Sequence, residues 1–147
     1  RIKGNIGYGI YIEDAIRNTI INCIIERNTC GVSIINIIEK FFPRTVIITC
    51  DNIIQHNIIR ENSDCGIYIQ GSIHNYIINN MFQNNGKNSN KRGYLGEYDL
   101  CLNNTKWNEI DKNYWNGPIT SPHDILSRHG PLMIFVPDFS KGFLPTP

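Results

Sequence analysis

The chain has 147 residues, the size of one domain, with 41% hydrophobic and 18% charged residues, which excludes a disordered tail. The 14 Lys and Arg stand against 13 Asp and Glu for a net charge of +1, so no broad field for nucleic acid or an anionic membrane surface follows. The five cysteines form no C-x-x-C pair, which excludes a zinc ribbon and a thioredoxin motif, and no apolar run reaches the roughly 18 residues that span a bilayer.

Composition also sets the secondary structure. The chain holds 28 Ile, 20 Asn and a single alanine, Ala15. Isoleucine loses side-chain freedom in a helix and fits a pleated surface, while asparagine marks turns. The opening Arg1-Ile2, without a methionine or an apolar leader, reads as a processed or excised piece that enters in mid-turn.

In chain order, a first phrase at Ile2–Asn5 (IKGN) returns at Ile25–Asn28 (IERN), Ile59–Asn62 (IREN) and Phe82–Asn85 (FQNN). A second follows it at Gly9–Ile12 (GIYI), Gly31–Ile34 (GVSI), Gly66–Ile69 (GIYI) and, degenerate, Asp99–Leu102 (DLCL). A third precedes the next copy at Asn18–Cys23, Asn52–Asn57, Asn75–Asn80 and Asn108–Asn113. The anchors Ile2, Ile25, Ile59, Phe82 and Trp115 are one period of about 23 residues apart, lengthened by about 11 at every second turn. Three short alternating runs per period, bounded by Asn or Gly and lacking hairpin turns, predict strands that stack on their own copies one turn away. The fold expected is an all-β right-handed parallel β-helix of about five turns over residues 1–116, with insertions near 35–45 and 86–97. A proline-rich capping tail is expected over 117–147, with Trp115 and Tyr114 filling the space beneath it.

The N-T-I-x-x-N/C and N-x-x-x-G-I-Y-I phrases, with the closing Asn113–Pro118 and Ser121–Ile125, resemble the NosD-type parallel β-helix repeat proteins. The resemblance implies a group associated with carbohydrate binding and sugar hydrolysis, and an extracellular or cell-surface location. Copper, which the family's name suggests, wants grouped Met, Cys or His, and apart from His123 and His129 in the tail the residues here show no ligand spacing, so no metal or cofactor is expected.

Stacking also places charges. Glu26 falls over Arg60, Arg27 over Glu61, Arg17 over Asp51 and Asp51 over His74, a pattern of surface ion pairs. No column holds carboxylates on consecutive turns, as sugar hydrolysis needs. Arg17, Asp51 and His74 are therefore only weak catalytic candidates. Phe41, Phe42 and Arg44, in the first insertion, are the candidate ligand-binding residues for a polysaccharide or surface glycan. Cys30 and Cys65 share a column and are a disulfide candidate. Cys50 reads as a core filler and Cys101 as an outward reactive thiol. Asn103, in Asn-Asn-Thr, is a glycosylation candidate. The function expected is a non-catalytic extracellular or cell-envelope module that binds glycans or builds a surface structure. The alternatives are a fragment of a polysaccharide lyase or glycosidase, and a filament subunit docking on a protein partner or on itself through its open N-terminal turn.

Overall fold

Inward isoleucines alternating with outward polar or aromatic residues favour short strands when almost no alanine is present to support a helix. The computed structural model describes residues 1–36, 49–86, 98–103, 105, 107–115 and 125–128. Among them every regular element is a strand. The first rung is β1 (Ile2–Lys3), β2 (Tyr8–Glu13) and β3 (Thr19–Ile21). The second is β4 (Ile24–Glu26), β5 (Cys30–Ile35) and β6 (Ile53–Gln55). The third is β7 (Ile58–Arg60), β8 (Cys65–Gln70) and β9 (Tyr76–Ile78). The fourth is β10 (Met81–Gln83), β11 (Tyr98–Asn103) and β12 (Glu109–Asp111). A fifth begins with β13 (Tyr114–Trp115) and β14 (Ile125–Arg128).

The rungs stack into three sheets, β1-β4-β7-β10-β13, β2-β5-β8-β11-β14 and β3-β6-β9-β12, and every neighbouring pair is parallel. A chain that visits the same three sheets in order on each turn is a parallel β-helix. The register is the one the repeat predicts: Ile2, Ile25, Ile59, Phe82 and Trp115 form one column, and Ile20, Ile54, Ile77 and Ile110 another. Two further columns, Ile10-Val32-Ile67-Leu100 and Ile12-Ile34-Ile69-Leu102, complete the interior. Ile25, Ile34, Ile54, Ile59, Ile67, Ile69, Ile77 and Phe82 have no exposed surface. Each contributes roughly 1.5–3 kcal/mol from burial. Toward the fifth rung the Trp115 ring stacks on Phe82, with centroids 5.4 Å apart. Tyr114, expected to share that space, points outward instead and is exposed, as its neighbour on a two-residue strand must.

The first insertion lies between Asn36 and Thr49, the second between Gly86 and Tyr98. After the first, the rung resumes at Cys50, which bridges Ile16 below and Ile73 above. That column is a corner rather than the interior, since Ile16 is exposed and Cys50 only half-buried, so Cys50 is no core filler.

What turns the chain between sheets is a two-residue device. A residue with positive φ comes first and a ladder residue second. Arg17, Asp51, His74 and Trp107 have φ of 57°, 54°, 53° and 54°, and each precedes an asparagine of the column Asn18-Asn52-Asn75-Asn108. Asn22, His56, Asn79 and Lys112 (φ 51° to 54°) precede Cys23, Asn57, Asn80 and Asn113. Gly4, Arg27, Glu61 and Asn84 precede Asn5, Asn28, Asn62 and Asn85 at the third corner. A non-glycine side chain in this region costs roughly 1–2 kcal/mol. The ladder asparagines offset that cost.

Asn57 shows how. Its Oδ1 accepts the Cys23 N–H at 2.9 Å, while its Nδ2 donates to Asn80 Oδ1 at 3.0 Å and to the Ile20 carbonyl at 2.9 Å. Asn80 repeats this one rung on, accepting from the Asn57 N–H and Nδ2 and donating to Asn113 and to the Ile54 carbonyl. Asn28, Asn62 and Asn85 do the same at the third corner, where Asn85 Nδ2 ends on Asp99 Oδ1 at 2.7 Å. The buried amide groups are thereby satisfied without water, which burial requires. Beside this ladder stand Gly9, Gly31 and Gly66. A Cβ on Gly31 would lie 2.4 Å from the Gly66 carbonyl oxygen and 2.9 Å from Asn62 Nδ2, so only glycine allows the rungs to close there.

The charge swaps follow the register. Glu26 is fully buried between Arg1 and Arg60, the latter 2.7 Å away, and Arg27 Nε donates to Glu61 at 2.7 Å. Hydrogen bonds from Arg1 and then Arg60 pull the Glu26 carboxyl down to about 2.

Two predictions follow from the turns and the buried acid. In urea unfolding, Asn57→Ala should lose roughly 2–4 kcal/mol, because it orphans several buried groups at once. Its neighbour His56→Gly should be neutral or gain up to about 1 kcal/mol by relieving the positive φ; equal losses at both positions would contradict the two-residue turn. A carboxyl held below its unfolded value of about 4.3 stabilises the fold above that pH and loses its contribution as pH falls toward 2. The wild-type acid-unfolding curve should therefore carry a limb between about pH 4.3 and pH 2 that Glu26→Gln lacks.

Candidate functional site

The corner between the second and third sheets differs from the other two. A left-handed turn position is cheapest for glycine or asparagine. The other corners use Gly4, Asn22, Asn79 and Asn84 there, among other residues, whereas this one carries Arg17, Asp51, His74 and Trp107 on its four rungs. The geometry throws these side chains outward. Their neighbours Asn52, Asn75 and Asn108 are buried in the ladder, while Arg17, His74 and Trp107 are exposed and Asp51 is half-buried.

Asp51, His74 and Trp107 are linked across the rungs. The His74 imidazole and Trp107 indole have centroids 5.3 Å apart and planes tilted by 41°. On its other side His74 Nδ1 lies 4.0 Å from Asp51 Oδ1. The Cys50 thiol donates to Asp51 Oδ2 at 3.5 Å, and burial, then the Asp51 hydrogen bond, push that thiol up. Arg17 stands on the rung before. The result is a ridge of alternating chemistry at the rung spacing of about 4.8 Å: guanidinium, carboxylate, imidazole, indole.

This order of groups decides what the ridge can do. A thiol nucleophile needs an imidazole beside it to take its proton. Here the Asp51 carboxylate takes the Cys50 hydrogen bond on one oxygen and faces His74 with the other, and burial, then that hydrogen bond, push the thiol up rather than activating it. The same carboxylate and imidazole are well placed to exchange hydrogen bonds with hydroxyl groups. The indole, with 56% of its surface exposed, offers an apolar face next to them.

Of the residues singled out from sequence, Arg17, Asp51 and His74 do share one column, and Asp51 meets His74. Trp107 is the member that the sequence reading missed. The repeat spacing of 33 that links Phe82 to Trp115 also carries His74 to Trp107, so the signal was present. Phe41, Phe42 and Arg44 lie outside the described residues, as do positions 87–97 of the second insertion. Cys30 and Cys65 pair directly across rungs, with sulfurs 3.0 Å apart and both thiols free. Cys101 falls in the outward column Tyr11-Ser33-Tyr68, as expected, but it is only 2% exposed and so is not a surface thiol. Asn103 Nδ2 donates to the Tyr68 hydroxyl at 3.3 Å, and Thr105 is buried with its hydroxyl accepting from Asn108. On the first rung, Ile6, Tyr8, Tyr11, Ile16 and Ile21 are exposed, and the Tyr8 and Tyr11 rings stack at 4.9 Å. Tyr11 is tied to Glu13, whose carboxylate pushes its hydroxyl up to about 12.

Among the described residues no group of three or more His, Cys, Asp or Glu side chains is placed to hold a metal ion, and no helix is long and apolar enough to cross a membrane. No protein-family model matches the chain, and no curated protein or solved structure matches it significantly.

Proposed function

We propose that the protein is a non-catalytic glycan-binding module of the cell envelope or extracellular space, and that it holds an extended oligosaccharide along the Arg17-Asp51-His74-Trp107 ridge. The observation that carries this reading is Trp107. A bulky indole occupies a left-handed backbone position and is left exposed against an imidazole, where glycine or asparagine serves at four of the eight such positions of the other corners. Strained, exposed residues of this kind mark sites where the side chain is needed for something other than stability. The indole face would stack on the C–H face of a pyranose, and Asp51 and His74 would take the hydroxyls. The rung repeat is comparable with the length of one pyranose unit, so successive sugars meet successive rungs. The resemblance of the repeat phrases to NosD-type β-helix proteins supports the same ligand class and the same location.

The reading is tested with a panel of neutral and uronate-containing hexasaccharides titrated against the chain and followed by tryptophan fluorescence. One class should give saturable binding. Trp107→Gly, which relaxes the backbone, should weaken that binding at least about tenfold while leaving the melting temperature unchanged or higher. Binding that survives Trp107→Gly, or no binding by any member of the panel, would contradict the proposal.

A further inference from the structure

The second sheet carries a cluster unconnected with the ridge. Cys30 and Cys65 occupy the same position on adjacent rungs, between Tyr8 below and Tyr98 above. Cys101, one rung further, joins them in a buried group packed against Tyr68. None of the three exposes more than 2% of its surface, and they pack as a group apart from the isoleucine core. Directly paired residues on parallel strands have Cα atoms within the separation a disulfide accepts. The Cys30 and Cys65 sulfurs, at 3.0 Å, need to close by only about 1 Å to reach bonding distance.

We infer that Cys30 and Cys65 form a redox site and bond to each other across rungs two and three, while Cys101, packed beside them but three residues out of register with Cys65, stays a free thiol. The oxidant is a small disulfide of the glutathione class. The Cys30 thiolate attacks one sulfur of that disulfide, its S–S bond breaks, and one small thiolate leaves. Cys65, its proton lost to solvent, then attacks the Cys30 sulfur of the mixed disulfide and expels the second small thiolate. Two protein thiols are oxidised to one disulfide, and the small disulfide is reduced to two small thiols that take up the two protons. Contacts with Cys101, then Cys30, together with burial, keep the Cys65 thiol well above the usual range in the finished coil. The exchange therefore belongs to the stage at which the rungs assemble, before the cluster is buried.

Closing the bond ties together a loop that contains a whole turn and the first insertion, so the oxidised protein should melt roughly 10 °C above the reduced one. The test is to refold the full chain in a glutathione redox buffer, alkylate the remaining thiols under denaturing conditions, digest, and identify cross-linked peptides by mass spectrometry. The wild type should lose two of its five thiols to a Cys30–Cys65 bridge. Cys30→Ser and Cys65→Ser should each leave no bridge and no difference in melting between oxidised and reduced samples. Cys101→Ser retains the main pair and should still form it, so the result does not depend on the other variants folding. Five alkylated thiols in the wild type, a bridge to Cys23 or Cys50, or a Cys30–Cys101 bridge in Cys65→Ser would overturn the inference.

Discussion

Asparagine-to-asparagine hydrogen bonding between rungs is the interaction on which the molecule depends. Strand pairing alone would let the isoleucine columns slide by two residues with little change in burial, because Ile follows Ile so often. The ladders remove that freedom. A buried ladder carboxamide such as Asn80 accepts two hydrogen bonds from one rung and donates to the next, and a shifted rung would leave these groups unpaired inside the coil. The glycine column beside the third ladder is a consequence, since Gly31 must let the Gly66 carbonyl approach within a distance no Cβ tolerates.

The same device separates structure from function within two consecutive residues. From the second rung on, the ladder asparagines of these corners are buried, and the residue before each is turned outward by its positive φ. The outward slot is therefore free to carry chemistry. At the third corner it holds Arg27 and Glu61, which pair with each other across rungs; at the first it holds Arg17, Asp51, His74 and Trp107, which leave an indole uncovered. The buried acid Glu26 obeys a different logic: it lies at the end of a strand, and arginines on both sides make its charge tolerable.

Most of the fold was legible because its period is short and its columns repeat chemically. The anchors Ile2, Ile25, Ile59, Phe82 and Trp115, the pairing of Glu26 with Arg60 and of Arg27 with Glu61, and the alignment of Cys30 with Cys65 all follow from counting residues. Alternation tells which way a side chain points, but not whether something covers it. That is why Cys101 is outward yet buried, and why Cys50, aligned with two isoleucines, sits at a corner instead of in the core. The site was half legible. Arg17, Asp51 and His74 could be stacked by counting, and the spacing of 33 that reaches Trp115 also reaches Trp107, but the exposure of its indole depends on a backbone angle that no residue pattern announces.

The most direct measurement of the central claim is a double-mutant cycle across one ladder contact, with Asn57→Ala and Asn80→Ala made singly and together and their unfolding free energies compared. The rung-to-rung ladder predicts a coupling of at least about 1 kcal/mol, since the second substitution removes a group the first has already orphaned, while the pair Asn57 and Asn62, on different ladders, should be additive within about 0.5 kcal/mol. Additive losses for Asn57 and Asn80 would mean that the two carboxamides do not bond across rungs, and the account of what holds this coil in register would fail.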